Sequence, residues 1–557
     1  MRESRGIHFL YARKKITEDF FLSKNRIVTN RDGFKDSPEK ILEAFSVFSK
    51  TGKRFSPRLK EMIRKNLFRI GGKTRNSLRA LESFLTVIRG DRVYETLREM
   101  HTSGVLGRFI PEFGALSFLV VYEPYHRYTV DEHTLNGIRK LDELRTTRYK
   151  NLEHPSGVFE RLKIKEALIL ALLLHDIGKR GIAKSYRCGS TEGRHEEAGY
   201  REVKGIIERF NLPLEVRTQI EFLVRNHLLM SSVALKMDTE DPEVIVQFAD
   251  EVGDRDTLDA LYLLTYADTA SVSNDFWTEW KAYLLRDLYD STARHLDGFT
   301  IGGFEAQVRV LEKLSLSTSD KNGIRHFLSS MPERYGISTT PERMLADYRL
   351  SRVVEEKGFG LRVKEDPGGT AEISVGAWDR PGIFSGIVGV LSSLKMNIYR
   401  ARVYTGKNGM IIDKIHISNW GELVWDGMLQ ELEERLKTTV GTHDMHNGYN
   451  SATRRTGEHP RLHGVSPESF GRFEPFVELD NETSASWSIL EFFALDRIGL
   501  LYDATRVLYE KGVDIISARI NTESGLAHDV FSVQREGKKI DGTGATEILL
   551  SLWERLT

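Results

Sequence analysis

The sequence predicts a multidomain protein whose first part is all-α and whose last part is α+β, with one unit present twice. The chain has 557 residues, which is too long for a single hydrophobic core. Apolar residues recur at helical spacing through most of the first 300 positions. Beyond residue 370 they alternate as in strands, and one order of strand, turn, helix, strand and strand occurs twice.

Composition is that of an ordinary globular chain in a reducing compartment. The sequence is 40% apolar and carries 80 Lys and Arg against 80 Asp and Glu. Its single cysteine, Cys188, excludes an internal disulfide, so a cytoplasmic location is predicted. The N-terminus lacks the apolar core of a signal peptide, and the longest apolar run, 167–174, is far shorter than the ~20 residues of a membrane helix. We therefore expect no membrane association.

The first segment, 1–75, is strongly basic, with 20 Lys and Arg against 8 Asp and Glu. A nucleic-acid-binding arm is one interpretation. The basic residues alternate with apolar positions at helical spacing, which favours a folded helical connector with a solvated basic face, and nucleic acid is not expected as a partner. Residues 76–125 continue the helical pattern and are predicted to form a helical linker region.

The most informative stretch is an apolar helix, 167–174, that ends in His175 and Asp176. Burying an ionised Asp beside a His costs several kcal/mol unless something compensates, and a divalent cation compensates by taking both groups as ligands. Because a cation needs four to six donors, other His and Asp residues should end buried helices elsewhere in the chain.

Such residues occur on both sides of this helix. His126 and His133 precede a helical run, His195 and His227 follow in later helices, and Asp268 is an acid at the end of the apolar run 258–268. Each residue taken singly is more often a hydrogen-bonded core histidine or a capping acid. Their combination in buried helical contexts predicts a metal site in a helical domain spanning 126–300.

The repeated unit occupies 369–441 and 473–557, and in both copies a strand leads into a short turn and then a helix. The turns are Asp379-Arg380-Pro381-Gly382 and Asp496-Arg497-Ile498-Gly499. This order predicts two ferredoxin-like βαββαβ units. A helical connector, 301–368, precedes them, and a segment rich in Gly, Asn and His, 442–472, is predicted to be a flexible linker.

The motifs of the helical domain resemble those of the HD superfamily of metal-dependent phosphohydrolases. The resemblance extends to the GlnD family of bifunctional PII uridylyltransferase/uridylyl-removing enzymes through YTVDEHTL at 128–135, LHDIGK at 174–179, NHLLMS at 226–231 and FWTEWK at 276–281. It implies an HD domain followed by two ACT domains, which are amino-acid-sensing modules. It also implies one or two Mg²⁺ or Mn²⁺ ions bound by His133, His175, Asp176, His195, His227 and Asp268.

The resemblance implies a reaction as well. The expected activity is hydrolysis of the phosphodiester that joins UMP to a tyrosine of the PII signal protein, with Asp176 and Lys179 as catalytic residues. Lys179 lies one helical turn after His175 and is placed to meet a phosphate oxygen; a role as a simple helix C-terminal charge stays open. The tyrosinate is a good leaving group because the pKa of a phenol is near 10.

Regulation by glutamine is the second implication, and both turns are predicted to contact this effector. Gly382 and Gly499 allow a ligand to approach the backbone at a helix N-terminus. The predicted contacts are Asp379, Arg380, Gly382, Asp496, Arg497 and Gly499.

Uridylyltransferase activity is not expected from this sequence. The transferase carries a Gly-Ser followed by an Asp-x-Asp pair for magnesium, and here Gly189-Ser190 leads into Thr191-Glu192-Gly193. Two alternatives to the uridylyl-removing function stay open: an HD phosphohydrolase that acts on a free nucleotide messenger, and a non-catalytic amino-acid-sensing scaffold.

Overall fold

The computed structural model of the chain divides into two compact units. The first comprises Met1–Ser232 and Phe248–Asp297, and the second comprises Val233–Gln247 and Gly298–Thr557. The structure describes residues 14–30, 33–120, 128–146, 152–184, 194–237, 239, 242–272, 277, 279–298, 318–332, 335–336, 339–366, 370–417, 419–423, 427–441, 475–484, 486–497, 499–523 and 526–556. Among these residues, no helix is both long and apolar enough to cross a membrane.

The first unit opens with a small antiparallel sheet of three strands: β1 (Lys14–Lys15), β2 (Phe20–Ser23) and β3 (Arg26–Thr29). The prediction that 1–75 is helical throughout is therefore wrong for this stretch. Ser23 pairs with Arg26 across a two-residue turn in which Lys24 and Asn25 both have positive φ, 50° and 60°. Such a turn matches the twist of the strands, and Asn adopts this conformation readily, so the hairpin had a local signal.

The chain then forms helices as far as Leu296. In chain order they are α1 (Lys40–Thr51), α2 (Pro57–Asn66), α3 (Gly72–Arg75), α4 (Leu78–Ile88), α5 (Val93–Thr102), α6 (Val105–Phe109), α7 (Pro111–Gly114), α8 (Val130–Leu144), α9 (Glu153–Arg161), α10 (Lys165–Leu174), α11 (Arg194–Arg209), α12 (Leu214–Arg225), α13 (Leu229–Lys236), α14 (Pro242–Val252), α15 (Arg255–Val272) and α16 (Glu279–Leu296). Two of them, α13 and α14, extend into the segment Val233–Gln247 of the second unit. Short 3₁₀ helices cover Leu67–Arg69 and Ile177–Lys184.

Helix α10 is the centre of the helical domain. Every residue from Ala167 to Leu174 is buried, because a helix that is apolar on all faces has to be covered on all faces. Helices α8, α12 and α15 pack around it. The C-terminus of α10, where His175 follows, is thereby placed among three helices that can each contribute polar side chains.

The second unit begins with helices α17 (Thr318–Ser330) and α18 (Pro341–Lys357) and continues with the two repeats. The first repeat contains β4 (Phe359–Asp366), β5 (Thr370–Trp378), α19 (Ile383–Ser393), β6 (Ile398–Arg402), β7 (Met410–Ile417), α20 (Trp420–Leu423) and α21 (Met428–Gly441). The second contains β8 (Phe476–Asp480), β9 (Ser488–Leu495), α22 (Leu500–Glu510), β10 (Asp514–Glu523), β11 (Leu526–Gln534) and α23 (Gly542–Leu556). The predicted linker 442–472 lies outside the described residues.

The two repeats form one eight-stranded sheet, in the order β4-β5-β7-β6-β10-β11-β9-β8. Strands β6 and β10 join the repeats, with Ser517 opposite Arg402 and Arg519 opposite Arg400. The α and α+β prediction is confirmed. Within each repeat the order of elements differs from βαββαβ. The strand that this order places last comes first instead, as β4 and β8, and it pairs with the strand that precedes the helix, β5 and β9.

Strand β4 lies in the region 301–368 that was predicted to be a helical connector, so that prediction is wrong for its last residues. Phe359, Leu361 and Val363 alternate with Gly360 and Arg362, the period of a strand. Strand β4 pairs with β5 in continuous antiparallel register. The chain can turn into this strand because Gly358 ends α18 with a φ of 75°.

A cluster of charges is buried between α18 and the sheet, and we call it the Asp347 cluster. Asp347 is 0% exposed, and its Oδ1 lies 3.0 Å from an Arg362 nitrogen. Its Oδ2 lies 2.7 Å from Lys414 Nζ and accepts a hydrogen bond of 2.9 Å from the Tyr335 hydroxyl. Both carboxylate oxygens are thus satisfied, as burial of an ionised acid requires.

The segment Val233–Gln247 folds with the second unit although the chain on both sides of it belongs to the first. The Arg519 guanidinium donates hydrogen bonds to the Ala234 carbonyl and to Thr239 Oγ1. Lys236 Nζ lies 2.6 Å from Glu491 Oε2. Strands β9 and β10 thus hold this segment through charged side chains.

Candidate metal centre

The structure brings His133, His175 and Asp176 together, with one potential ligand atom of each lying within 4.8 Å of the others. All three residues are buried. His133 comes from α8, and His175 and Asp176 follow the C-terminus of α10. Residues that are more than 40 positions apart in the sequence therefore meet where two buried helices cross.

Asp268 of α15 completes this arrangement. Its Oδ1 lies 2.8 Å from His133 Nε2 and 3.4 Å from His175 Nε2, while Asp176 Oδ2 lies 3.4 Å from the same His175 nitrogen. The Asp268 side chain keeps 21% exposure, so solvent reaches the cluster from its side. Two carboxylates and two imidazoles thus converge at one site.

His227 joins the cluster from the segment after α12. Its ring centroid lies 5.3 Å from that of His175, and the ring is buried. Its Nδ1 is 2.8 Å from the Val224 carbonyl, and His175 Nδ1 is 2.8 Å from the Leu172 carbonyl. Each carbonyl oxygen accepts a hydrogen bond from Nδ1–H, so Nε2 is the nitrogen of each ring that is left to bind a metal.

His133 is held in a different way, by a residue that sequence reasoning missed. Ser271 Oγ lies 3.0 Å from His133 Nδ1 and 2.7 Å from the carbonyl oxygen of Asp268. Ser271 is itself buried, at 3% exposure. Its position three residues after Asp268, one helical turn, is the signal that could have singled it out.

Two predicted histidines cannot be placed. His126 lies outside the described residues. His195 belongs to α11, and the structure describes the backbone of that helix there but not the side chain. Helix α11 lies close to the cluster: a Cβ added at Gly199 would come within 3.1 Å of the backbone nitrogen of Gly178.

Lys179, predicted to be catalytic, lies beside the cluster. Its Nζ is 3.1 Å from Asp176 Oδ2, and its side chain keeps 15% exposure. Its backbone nitrogen donates to the Asp176 carbonyl at 3.0 Å. The 3₁₀ turn Ile177–Lys184 thus places the ammonium group at the edge of the cluster, next to the carboxylate.

Electrostatics at this site favour a bound positive charge. Burial would lower the pKa of His175, but the carboxylates of Asp176 and Asp268 outweigh it and raise that pKa to about 10. Burial would likewise raise the pKa of Asp176, yet His175 and Lys179 hold it well below its usual range. Burial and then the neighbouring His175 lower the pKa of His227, so this ring is neutral.

The chemistry of the donor set fits a divalent cation. His175 Nε2 and Asp176 Oδ2 are buried and form no hydrogen bond among the described residues. Buried polar atoms in folded proteins normally form hydrogen bonds. Asp176 Oδ2 has ion-pair contacts, to Lys179 Nζ at 3.1 Å and to His175 Nε2 at 3.4 Å, and a cation bound here would add a partner to both atoms. Imidazole and carboxylate are ligands for Mn²⁺, Zn²⁺ and iron, and carboxylate with water suits Mg²⁺.

The two predicted effector turns differ in their surroundings. Gly382 and Gly499 both precede a helix with positive φ, 78° and 87°. A cavity of about 970 Å³ is lined by the first turn, including Asp379 and Gly382, and by the start of β10, including Asp514. Burial and then the charge of Asp379 raise the pKa of Asp514.

None of the described residues of the second turn lines this cavity. The arginine of that turn forms its contacts within its own repeat. Arg497 pairs with Asp503 at 2.6 Å and donates to the Arg555 carbonyl at 3.3 Å. Arg380 of the first turn makes the equivalent contact to the Thr439 carbonyl, at the end of α21. Each arginine therefore satisfies a carbonyl at the C-terminus of the last helix of its repeat.

Comparison with known families finds three matching regions. Residues 20–109 match the third domain of the uridylyltransferase GlnD, residues 151–253 match the HD domain, and residues 476–555 match an ACR9-like, ACT-like domain. The HD region contains His175, Asp176 and His227. The first repeat is not part of the ACT-like match, but it has the same order of strands and helices as the second.

Curated relatives match almost the whole chain. Bifunctional uridylyltransferase/uridylyl-removing enzymes from Azospirillum brasilense and Caulobacter vibrioides are 30% and 28% identical over 94% of this chain and 56% of their own length. That of Zymomonas mobilis is 32% identical over 78% of this chain and 46% of its own length. The chain thus spans about half the length of the relatives it matches.

A solved structure, the apo form I of a CCA-adding enzyme, aligns with a TM-score of 0.30 and 11% identity. The alignment covers 59% of this chain and 62% of that chain. This likeness is too low to bear on function.

Proposed function

Because the chain is homologous to the bifunctional uridylyltransferase/uridylyl-removing enzymes and contains an HD domain, we propose that it is a metal-dependent phosphohydrolase that removes UMP from a protein. The proposed substrate is the phosphodiester that joins UMP to a tyrosine of the PII signal protein. Uridylyl removal is named in the description of these relatives and supports UMP as the group removed. The HD domain is a metal-dependent phosphohydrolase domain and supports hydrolysis as the reaction. The resemblance of the sequence motifs to the GlnD family points to PII as the protein partner.

The observation that carries this proposal is the buried cluster of His133, His175, Asp176 and Asp268, with two ligand atoms that form no hydrogen bond among the described residues. We propose that these residues bind Mg²⁺ or Mn²⁺. His227, together with His195, is proposed to bind a second ion. When bound, such ions lower the pKa of a water and neutralise charge on a phosphoryl group.

Two residues of the chain are proposed to position the substrate and the attacking water. Lys179 Nζ, at the edge of the cluster, is proposed to turn from Asp176 to a phosphate oxygen when substrate binds. Asp176 is proposed to orient the attacking water. The leaving tyrosinate needs little protonation, since the pKa of a phenol is near 10.

The test is release of UMP from uridylylated PII by the full chain with Mn²⁺. We expect release that stops with chelator and resumes when Mn²⁺ is restored. A parallel panel of free nucleotide messengers separates the proposed function from the same chemistry on a small molecule. Hydrolysis of a nucleotide but not of uridylylated PII would replace the protein substrate, and binding of the effector with no hydrolysis of either would favour a non-catalytic scaffold.

We also propose that glutamine regulates this hydrolysis by binding in the cavity of the first turn. Asp379 and Asp514 both line the cavity, and the ammonium group of an amino acid would relieve the repulsion between their carboxylates. Backbone groups at the N-terminus of α19, reached past Gly382, would meet the carboxylate end. An effector that favours one of two conformations shifts activity by its differential affinity, typically ~1–3 kcal/mol.

Two matched glycine variants test this regulation. Gly382→Val and Gly499→Val impose the same left-handed strain at equivalent positions of the two repeats, but Gly382 lines the cavity. We expect glutamine to raise the hydrolytic rate of the wild type, Gly382→Val to weaken this response, and Gly499→Val to weaken it less. Calorimetry of the full chain should show the same order of glutamine affinity. Equal loss in both variants would move the effector away from this cavity.

Transfer of UMP from UTP is not proposed for this chain, since the Gly-Ser and Asp-x-Asp motif of the transferase has no counterpart in its sequence. Incubation with labelled UTP and PII should leave PII unlabelled. We propose a cytoplasmic setting for the reaction, in keeping with the single cysteine.

A further inference from the structure

The three described histidines of the metal centre are oriented through Nδ1, but by two different means. His175 and His227 each contact the carbonyl three residues earlier in the chain, that of Leu172 and that of Val224. This acceptor is backbone and no substitution of a side chain removes it. His133 instead contacts a side-chain hydroxyl on another helix, Ser271 Oγ, at 3.0 Å.

The hydroxyl of Ser271 has its own acceptor, and this fixes its role toward the imidazole. Ser271 Oγ donates to the Asp268 carbonyl at 2.7 Å, so its remaining lone pairs are available to His133 Nδ1–H. A neutral imidazole with its proton on Nδ1 has the free lone pair on Nε2. That nitrogen lies 2.8 Å from Asp268 Oδ1, on the side where the ligand atoms converge.

The other tautomer of His133 could not bind a metal through Nε2. With its proton on Nε2, His133 would donate to Asp268 Oδ1, and this hydrogen bond would occupy two proposed ligand atoms. An acceptor on the Nδ1 side opposes that outcome. The same hydroxyl holds the backbone of Asp268, so one side chain orients ligands from α8 and α15 together.

We propose that Ser271 is a positioning residue that selects the metal-binding tautomer of His133 and fixes the helix that carries Asp268. The inference rests on the proposed metal-dependent function but not on the identity of the substrate. Partners of metal-ligating histidines typically change metal affinity 10- to 100-fold when they are removed. Ser271 is buried and its hydroxyl contacts only groups of this site among the hydrogen bonds described for it.

The experiment measures binding of Mn²⁺ to the full chain by calorimetry, which needs no substrate. Ser271→Ala removes the acceptor, and Ser271→Thr keeps it. Thr265→Val is the matched control, because Thr265 is a buried hydroxyl on the same helix that bonds only back to the Leu261 carbonyl at 2.9 Å. Circular dichroism of each variant reports whether the helices remain folded.

We expect Ser271→Ala to weaken Mn²⁺ binding roughly 10- to 100-fold, Ser271→Thr to restore most of the affinity, and Thr265→Val to leave it unchanged. Ring ¹⁵N shifts of selectively labelled histidine, with His133 assigned by difference from His133→Gln, should show the proton moving from Nδ1 to Nε2 in Ser271→Ala. Wild-type affinity in Ser271→Ala, or equal losses in Ser271→Ala and Thr265→Val, would overturn the proposal. Strong Mn²⁺ binding by a wild type that hydrolyses no uridylylated PII would refute the proposed substrate and leave this inference standing.

Discussion

Asp176 of the first unit and Asp347 of the second are both buried, at 3% and 0% exposure, and both lie among cationic groups. Asp347 has each oxygen engaged, by Arg362 on one side and by Lys414 and the Tyr335 hydroxyl on the other. Asp176 keeps an oxygen that forms no hydrogen bond among the described residues, next to a His175 nitrogen in the same condition. The difference lies in the two aspartates themselves: Asp347 is satisfied by its neighbours, whereas Asp176 and His175 keep atoms that a bound metal ion would satisfy.

The largest expected effect is the loss of hydrolysis in the double variant His175→Ala with Asp176→Ala. Two of the proposed metal ligands are removed together, and Asp268 keeps its contact with His133 Nε2 at 2.8 Å, so we expect the fold to stay intact. UMP release should fall to the level of the wild type in chelator, with an unchanged circular dichroism spectrum. Full activity in this variant would remove the metal centre from the reaction.

Asp347→Ala should have the opposite consequence. It removes the carboxylate that pairs with Lys414, which is 2% exposed, while Arg362 keeps Glu372 Oε1 at 3.3 Å. Breaking a buried pair typically costs about 3–5 kcal/mol. Denaturant unfolding should show this loss, while Mn²⁺ affinity measured under native conditions stays that of the wild type. Asp347→Asn is a milder companion, because the amide oxygen still accepts a hydrogen bond. A change in Mn²⁺ affinity would contradict a purely structural role for Asp347.

A third buried acid, Glu491, extends the comparison to pH. Burial would raise its pKa, but His528 and Lys236 outweigh it and lower the pKa to about 2 from 4.5. A lowered folded-state pKa contributes stability above pH 4.5 that is lost as the pH falls toward 2, at most about 3 kcal/mol at 1.36 kcal/mol per unit. Wild type should therefore exceed Glu491→Gln in stability at pH 6, and the gap should narrow by pH 3. A constant gap would mean that packing, not charge, makes Glu491 useful.

The smallest expected effect is stabilisation of the native chain by added metal. A ligand at ten times its dissociation constant stabilises the state it binds by about 1.4 kcal/mol. Mn²⁺ should raise the unfolding midpoint of the wild type and of Asp347→Asn, but not that of the variant lacking His175 and Asp176. A rise in all three would indicate binding elsewhere in the chain.

The sequence singled out residues that the structure brings together because these residues break a local rule. His175, Asp176 and Asp268 are polar residues in otherwise apolar helices, and such conflicts stand out without any knowledge of the fold. Ser271 breaks no rule, since a buried serine that bonds its own helix is common. Its contact with His133 spans 138 positions and became visible only in the structure.

The repeats show the same limit. The alternation in β5 and the turn residues of each unit indicated strands and helices correctly. The cavity, however, is formed by the first turn and by Asp514 at the start of β10, which lie in different repeats and meet through the pairing of β6 with β10. Pairing between strands of different repeats depends on side-chain packing and on which strand edges are exposed. The local periodicity of the sequence predicts neither of these.

The segment Val233–Gln247 limits where the chain can be divided into its two units. A gene fusion or deletion with its joint after Asp297 would keep these 15 residues with the first unit and discard Arg519 and Glu491, to which they are bonded. His227 lies before the segment and Asp268 after it, and both are proposed ligands of the metal centre. A joint at that boundary is therefore expected to destabilise the domain that carries the proposed metal centre.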